Sequence, residues 1–325
     1  MNPLTTTLPQ VVTIALNPAL DHTIEVANLQ PGAVNRAQRM QVDVGGKAIN
    51  VASCLADFGI SVAVTGPLGR DNAALFEDLF QRKQIANHCL YRDGLTRINT
   101  KVVDVERGET TDLNMPGPDF DLSAARELLD QVQRQLDRLL GSARWVVLSG
   151  SLPPGLPVTV YATLIAQAQA AGAAVLLDTS GSPFEAALTA GPRLIKPNRH
   201  ELAELTGQPL DTLEAVVTAG RALLNRPQPP AMVVVSLGGD GALFLTREQA
   251  LQAHPAPVAV TSTVGAGDAM VAGLVAAQLE NRSLAETAQL ATAFAAAKLT
   301  RLGPHLPPPE QVRALARQII ITPLP

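Results

Sequence analysis

Thr261-Ser262-Thr263-Val264-Gly265-Ala266-Gly267-Asp268 leads into Ala269–Glu280, where the apolar residues Met270, Leu274 and Ala277 recur at helical spacing. The spacing predicts a helix with this stretch as its entry. A helix start is an anion site, because its first backbone N–H groups lack partners and carry the positive end of the dipole. Gly265, Ala266 and Gly267 have little or no side chain, so a phosphate can approach those amides directly. Asp268 would then lie beside the anion, where a carboxylate makes little sense for binding alone. It suits the removal of a proton from a hydroxyl that attacks phosphorus. The alternative is a Gly-rich turn whose Asp helps cap the helix, and a GxGD taken alone does not choose between the two.

The rest of the chain narrows the choice. Its 325 residues suffice for one large α/β domain with additions or for two smaller domains. Hydrophobic residues at 46% and charged residues at 17% suit a folded core and argue against disorder. A net charge of -4 without a block of Lys or Arg gives no support to nucleic-acid binding. Cys54 and Cys89 cannot make a disulfide framework or a closed zinc site and read as buried small hydrophobes. Met1–Thr7 lacks the basic start and apolar run of a signal peptide, and no apolar stretch approaches a membrane span. The expectation is a cytoplasmic protein.

Short apolar runs at Val11–Leu16, Ser61–Thr65, Trp145–Leu148, Ala174–Leu177, Arg193–Ile195 and Met232–Val235 read as strands. Helical patterns at Lys47–Phe58 and Asp71–Arg82, and others between later runs, alternate with them. That order predicts an α/β fold with a mainly parallel sheet covered on both faces, with ligands at the carboxyl ends of its strands. Two pairs break the alternation: His22–Val26 with Arg39–Val44, and Arg97–Val105 with Glu109–Asn114, the latter turning at Arg107-Gly108. Both alternate polar and apolar residues, as a small sheet standing off the main body would. One domain, residues 1–325, with a lid from two separate segments, about 21–44 and 97–114, is the expected organisation. The Pro-rich 306–309 precedes a last helix.

Other candidate sites cluster at the predicted strand ends. Gly45-Gly46-Lys47-Ala48-Ile49-Asn50 enters the first long helix and is not a Walker loop. It could set Gly45 and Gly46 against a sugar, Lys47 on a phosphate and Asn50 on a hydroxyl, or be a simple strand-to-helix turn. Asp21 could accept bonds from sugar hydroxyls or cap a turn. Arg97 and Arg36, in the proposed lid, have the planar fork that suits phosphate, with solvation as the alternative. Asn198 and Glu201, three apart at a helix start, could hold a hydrated Mg²⁺ through oxygen, form a capping box, or both. Ser236-Leu237-Gly238-Gly239-Asp240-Gly241 joins two β-type runs, as a hairpin turn or a backbone against which a nucleotide lies. The five histidines show no zinc-ligand spacing, and Gly150-Ser151-Leu152 is not a hydrolase elbow.

Taken together, Asn17–Asp21, Gly45–Lys47 with Asn50, Leu148–Pro154, Lys196–Asn198 with Glu201, Val235–Gly238 and Thr263–Asp268 resemble, in order, the motifs of the ribokinase-like sugar kinases of the phosphofructokinase-B family. The resemblance runs from about Val11 to Thr300. It implies a three-layer ribokinase-like fold with a small β-sheet lid, ATP and Mg²⁺ as cofactors, and a sugar-phosphate substrate. Within it, Asp268 is similar to the catalytic base and Gly265, Ala266 and Gly267 to the anion hole. Asp21, Asn50 and Ser151 are similar to sugar-contacting positions. Lys47 and Arg97, with Arg36 as a further candidate, resemble a clamp on the substrate's phosphate. Asn198 and Glu201 match the segment linked to Mg²⁺ and phosphate, and Ser236, Gly238 and Gly241 the nucleotide side.

Thr96–Asn99 and Gly66–Asn72 resemble the branch that phosphorylates fructose 1-phosphate at its 6-hydroxyl, whereas Asn114–Pro118 resembles the branch acting on fructose 6-phosphate. Tagatose 6-phosphate and a non-catalytic sugar-phosphate sensor are the remaining alternatives. No GxGxxG follows the first strand, which disfavours a nicotinamide dehydrogenase. Lids of this family often pair, which implies a homodimer. Ala48 stands where the family usually has Gly; it strains the site if that position needs φ > 0 and is harmless inside the helix.

Overall fold

The computed structural model describes residues 8–325; the reading of Met1–Thr7 lies outside them. In chain order the elements are β1 (Val11–Ile14), β2 (Ala19–Val26), β3 (Arg39–Gly45), α1 (Lys47–Asp57), β4 (Val62–Gly69), α2 (Ala74–Lys83), β5 (Ala86–Arg92), β6 (Arg97–Asp104) and β7 (Glu109–Leu113). There follow α3 (Leu122–Leu140), β8 (Trp145–Ser149), α4 (Val160–Ala170), β9 (Ala174–Asp178), α5 (Gly181–Leu188), β10 (Leu194–Ile195), α6 (Arg199–Thr206) and α7 (Leu213–Leu223). The chain ends with β11 (Met232–Ser236), β12 (Ala242–Leu245), β13 (Ala250–His254), α8 (Ala266–Leu279), α9 (Leu284–Leu299), α10 (Pro309–Ala316) and β14 (Ile320–Leu324).

The large sheet has the order β14-β13-β12-β11-β10-β9-β8-β1-β4-β5. Every neighbouring pair from β11 to β5 is parallel, and β12 to β14 add an antiparallel edge. Alternate residues of one strand feed opposite cores. Val11, Val147 and Val234 join the cluster under α1, α8 and α9, whereas Val12, Val146 and Val235 join the one under α3, α4 and α7. This period-2 division is why the inner strands read as unbroken apolar runs. The sequence reading missed α3, although Leu128, Val132, Leu136 and Leu139 form its buried stripe and Asp121 caps it, accepting from Ala124 N at 2.8 Å.

The small sheet has the order β3-β2-β6-β7. It joins the two predicted segments through a parallel β2–β6 pair, with Asp21 opposite Asn99 and also opposite Asp43 of β3. Strand β7 is exposed along its length. Ala48 is the second residue of α1 and fully buried, so the helical reading of that position holds.

Helices α8 and α9 pack closest where Gly273 meets Ala291 and Phe294. A Cβ on Gly273 would stand 2.7 Å from Ala291 Cα and 2.9 Å from Phe294 Cγ. Gly273→Val should therefore lower the free energy of unfolding by about 1–3 kcal/mol in urea titrations. Gly141→Ala, at a right-handed position with nothing within 4 Å, should stay within about 0.5 kcal/mol of wild type.

Candidate active site

The carboxyl ends of β1, β8, β9, β10 and β11 and the starts of α1 and α8 converge on one side of the large sheet. Helix α8 begins three residues earlier than the sequence suggested, so Asp268 falls inside its first turn. Gly265 precedes the helix with φ +79, a left-handed conformation that glycine adopts without strain, and offers no side chain to cap it. The first intrahelical bond runs from Ala269 N to Gly265 O at 2.9 Å. The amides of Ala266, Gly267 and Asp268 precede it and point out of the helix start. Gly46 holds the same place before α1, with φ +95 and no side-chain cap.

Asp268 is 7% exposed, and its Oδ2 accepts a 2.7 Å bond from Asn50 Nδ2 of α1. Burial, followed by the negative charge of Asp178, pushes its pKa up to about 6; Lys47, the Asn50 bond and Lys196 pull the other way. A carboxylate tuned to that range can take a proton near neutral pH.

Asp178 was not singled out from the sequence. It closes β9, is 1% exposed, and lies 3.1 Å from Lys196 Nζ and 3.5 Å from Lys47 Nζ, with Ser149 Oγ donating at 3.0 Å. Burial pushes its carboxyl up, but the two lysines and these bonds outweigh it and hold it below the usual range. Lys47 also stands 3.7 Å from Glu201, and Asp178 above all holds its ammonium in the charged form. Lys196 lies against the start of α8: a Cβ on Gly267 would stand 3.8 Å from its Nζ.

Of the other predicted residues, Asp21, Gly46, Lys47, Asn50, Arg97, Ser151 and Glu201 divide between two adjoining cavities, and Gly45, Asn198, Ser236, Gly238 and Gly241 line neither. One, of about 430 Å³, lies under the small sheet and includes Asp21, Asp43, Asn50, Gly265 and Lys298. The other, of about 310 Å³, includes Asn17, Gly46, Lys47, Arg97, Ser151 and Glu201. Asn99, which lines the second, bonds Asp21 Oδ1 of the first at 2.9 Å. A Cβ on Gly45 would collide with the Asp21 carboxylate, which fixes glycine there. Arg97 donates to the carbonyls of Pro18, Asn17 and Met115, tying the exit of β1 to the 114–118 loop and leaving two of its five N–H groups without a partner among the described residues. Ser151 Oγ accepts from Asn17 Nδ2 at 3.2 Å. Arg36 is exposed in the loop between β2 and β3 and lines neither cavity.

Asn198 and Glu201 form a full capping box. Asn198 Oδ1 accepts from Glu201 N, and Glu201 Oε2 accepts from Asn198 N, each at 2.8 Å. Glu201 Oε1 stays clear of the box. No three His, Cys, Asp or Glu side chains form a metal-binding group among the described residues. This donor set suits a metal ion that keeps its water and takes further oxygens from a ligand, and it does not make a closed protein cage. Ser236 ends β11 and bridges to Asn198, and Gly238 and Gly241 have φ +63 and +89. A Cβ on Gly241 would strike the Ala253 carbonyl, so this turn requires glycine for folding alone.

No helix is long and apolar enough to cross a membrane among the described residues. Of proteins similar to this one, a 1-phosphofructokinase from Xanthomonas campestris is 49% identical over 97% of this chain and 99% of its own. Another, from Rhodobacter capsulatus, is 45% identical over 97% and 98%. Among solved structures, the potassium complex of phosphofructokinase-2 from Escherichia coli superposes with a TM-score of 0.86 at 30% identity, covering 95% of this chain and 99% of that one. The fold is thus the ribokinase-like one that the ordered motifs implied. Residues 14–311 match the pfkB family carbohydrate kinases, and with a buried carboxylate at an open helix start at its centre, the chain belongs to that family.

Proposed function

We propose that this kinase transfers the γ-phosphoryl group of ATP to the 6-hydroxyl of fructose 1-phosphate, giving fructose 1,6-bisphosphate and ADP. The observation that carries the reading is the buried Asp268–Asn50 pair beside the open amides of α8. Asp268 takes the hydroxyl proton as that oxygen attacks phosphorus, while the amides of Ala266, Gly267 and Asp268 stabilise the oxygens of the group in flight. Asp21 and Asn50 orient the sugar hydroxyls, and Ser151 contacts the sugar. Lys47 and the free N–H groups of Arg97 hold the phosphate already present. Ser236, Gly238 and Gly241 lie against the nucleotide. Mg²⁺, when bound with the nucleotide near Glu201 and Asn198, supplies positive charge to the phosphate oxygens. The small sheet acts as a lid that keeps water from competing with the sugar hydroxyl. The names of the two relatives support the choice of sugar.

A coupled assay of ADP release with Mg-ATP, comparing fructose 1-phosphate, fructose 6-phosphate, tagatose 6-phosphate and fructose, tests this choice. The expected kcat/KM for fructose 1-phosphate exceeds the others by about a hundredfold, or ~2.7 kcal/mol. A preference for a 6-phosphate would keep the mechanism and change the substrate.

Asp268→Asn should cut kcat by about a hundredfold or more with little change in ATP affinity, and wild-type kcat/KM should fall below an acid limb near pH 6. Its effect on stability has the opposite sign. Because the folded carboxyl titrates near 6 and not at its ordinary 3.8, the ionised group is a cost above pH 6 that disappears as pH falls towards 3.8. The variant should therefore unfold about 1–3 kcal/mol later than wild type at pH 8 and equally at pH 4. Near-normal turnover in the variant would remove Asp268 from the mechanism.

The outer face of the small sheet supports a homodimer. Ile24 lies opposite Met40 and Val102, and Met40 and Leu113 are exposed there. Met40→Asp should shift the protein from dimer to monomer in sedimentation experiments, whereas a monomeric wild type would dismiss the pairing.

A further inference from the structure

Lys298 is a buried ammonium group that the reaction described above does not use. It lies in the last turn of α9 and is 3% exposed. Its Nζ donates to Arg301 O at 3.0 Å, and it has no ion-pair partner within 4.0 Å among the described residues. A lysine at a helix end commonly bonds the last carbonyls while its tip stays in water. That accounts for the bond to Arg301 and leaves the burial unexplained.

The burial follows from what the side chain packs against. A Cβ on Gly265 would stand 3.3 Å from Lys298 Cε, 3.8 Å from Asn50 Nδ2 and 3.9 Å from Asp268 Oδ2. Lysine stem, asparagine and carboxylate thus converge on the backbone position that opens α8. The same end of α9 holds the entry loop, because Thr261 N and Ser262 N both donate to Leu299 O, at 2.7 and 3.2 Å. The charged groups that act on Lys298 include Asp268 of α8 and Asp43 of β3, while burial pushes the Cys54 thiol of α1 up to about 12 and leaves it neutral; burial lowers the lysine's pKa and the two carboxylates oppose the change.

We propose that Lys298 is a positioning residue for phosphoryl transfer: its stem packs against the Gly265 turn, its ammonium ties α9 to Arg301, and its charge acts on Asp268 and the start of α8. This rests on the phosphoryl-transfer reading above. A cation held there costs no reorganisation when charge develops on the transferred group. Around Asp268 it joins Lys47 and Lys196 in opposing the negative charge of Asp178.

Lys298→Met keeps the apolar stem and removes the charge. Its kcat should fall about tenfold or more while KM for fructose 1-phosphate stays within about twofold. The acid limb of kcat/KM should move up by about half a pH unit or more, because a carboxylate that loses a nearby cation holds its proton more tightly. Lys298→Ala opens space for a small cation, so methylammonium should restore its activity saturably and leave wild type unchanged. A folded Lys298→Met enzyme with kcat within about twofold of wild type and an unmoved limb would overturn the proposal. So would a Lys298→Ala enzyme that is impaired and deaf to methylammonium.

The coupling is also readable without turnover. Unfolding free energies from pH 4 to 8 are compared between wild type and Asp268→Asn, each with and without Lys298→Met. The pH at which the Asp268-linked difference appears should rise when Lys298 is replaced. An unmoved transition overturns the proposal. A moved transition in a protein that turns over no sugar phosphate supports the charge coupling and overturns only the reaction reading.

Discussion

The buried carboxylate of Asp178 is the constraint around which the candidate site is built. An ion removed from water is stable only when opposite charge and hydrogen bonds replace its hydration. Lys196, Lys47 and Ser149 do this from three other elements, so the strand end carrying Asp178 fixes where both ammonium groups sit. Its charge then raises the pKa of Asp268, while the lysines keep that rise moderate. One structural carboxylate therefore sets the positions of the cations and, after burial, adds most to the raised pKa of Asp268.

The chain order of strands and helices was legible because alternating cores impose simple periods on it. Val11–Ile14, Trp145–Ser149 and Met232–Ser236 are apolar but for Thr13, Ser149 and Ser236, since each is covered on both faces. The small sheet was legible for the opposite reason, as its strands alternate and stand apart from the helices. Strand β14 was hidden by Pro323, which an edge strand tolerates and a central one would not. Strand β5 was hidden by Asn87 and His88 at the other edge.

The candidate site was legible where function demands a local backbone shape. Gly45 is required by the Asp21 carboxylate and Gly265 by a left-handed turn, and both needs leave a mark in adjacent residues. Asp178 and Lys298 leave no such mark. Each is a single polar residue at the end of an ordinary element, and only the packing of distant elements shows that its charge is buried. The one sequence hint for Asp178 is a carboxylate directly after the apolar run Ala174–Leu177. Arg97 shows the reverse case: its identity suggested a phosphate, yet most of its bonding secures two loops to each other.

The two helix starts explain why these charges are arranged around backbone amides. The helices differ in what stands before their first residue: Ser283 with Glu286 caps α9 and Asn198 with Glu201 caps α6, whereas the starts of α2, α4, α5 and α10 carry no side-chain cap. At α1 and α8 glycine stands at that place, and the first amides face the cavities uncapped. Leaving them so forgoes roughly a few tenths of a kcal/mol of capping at each helix. The three lysines around them face Asp178, Glu201 and Asp268 as counter-charges. An anionic phosphoryl group at these amides would accept their hydrogen bonds and lie within reach of the lysines' charge. Affinity for such a ligand and the cost of leaving these amides uncapped would then have one origin, open donors present before the ligand arrives.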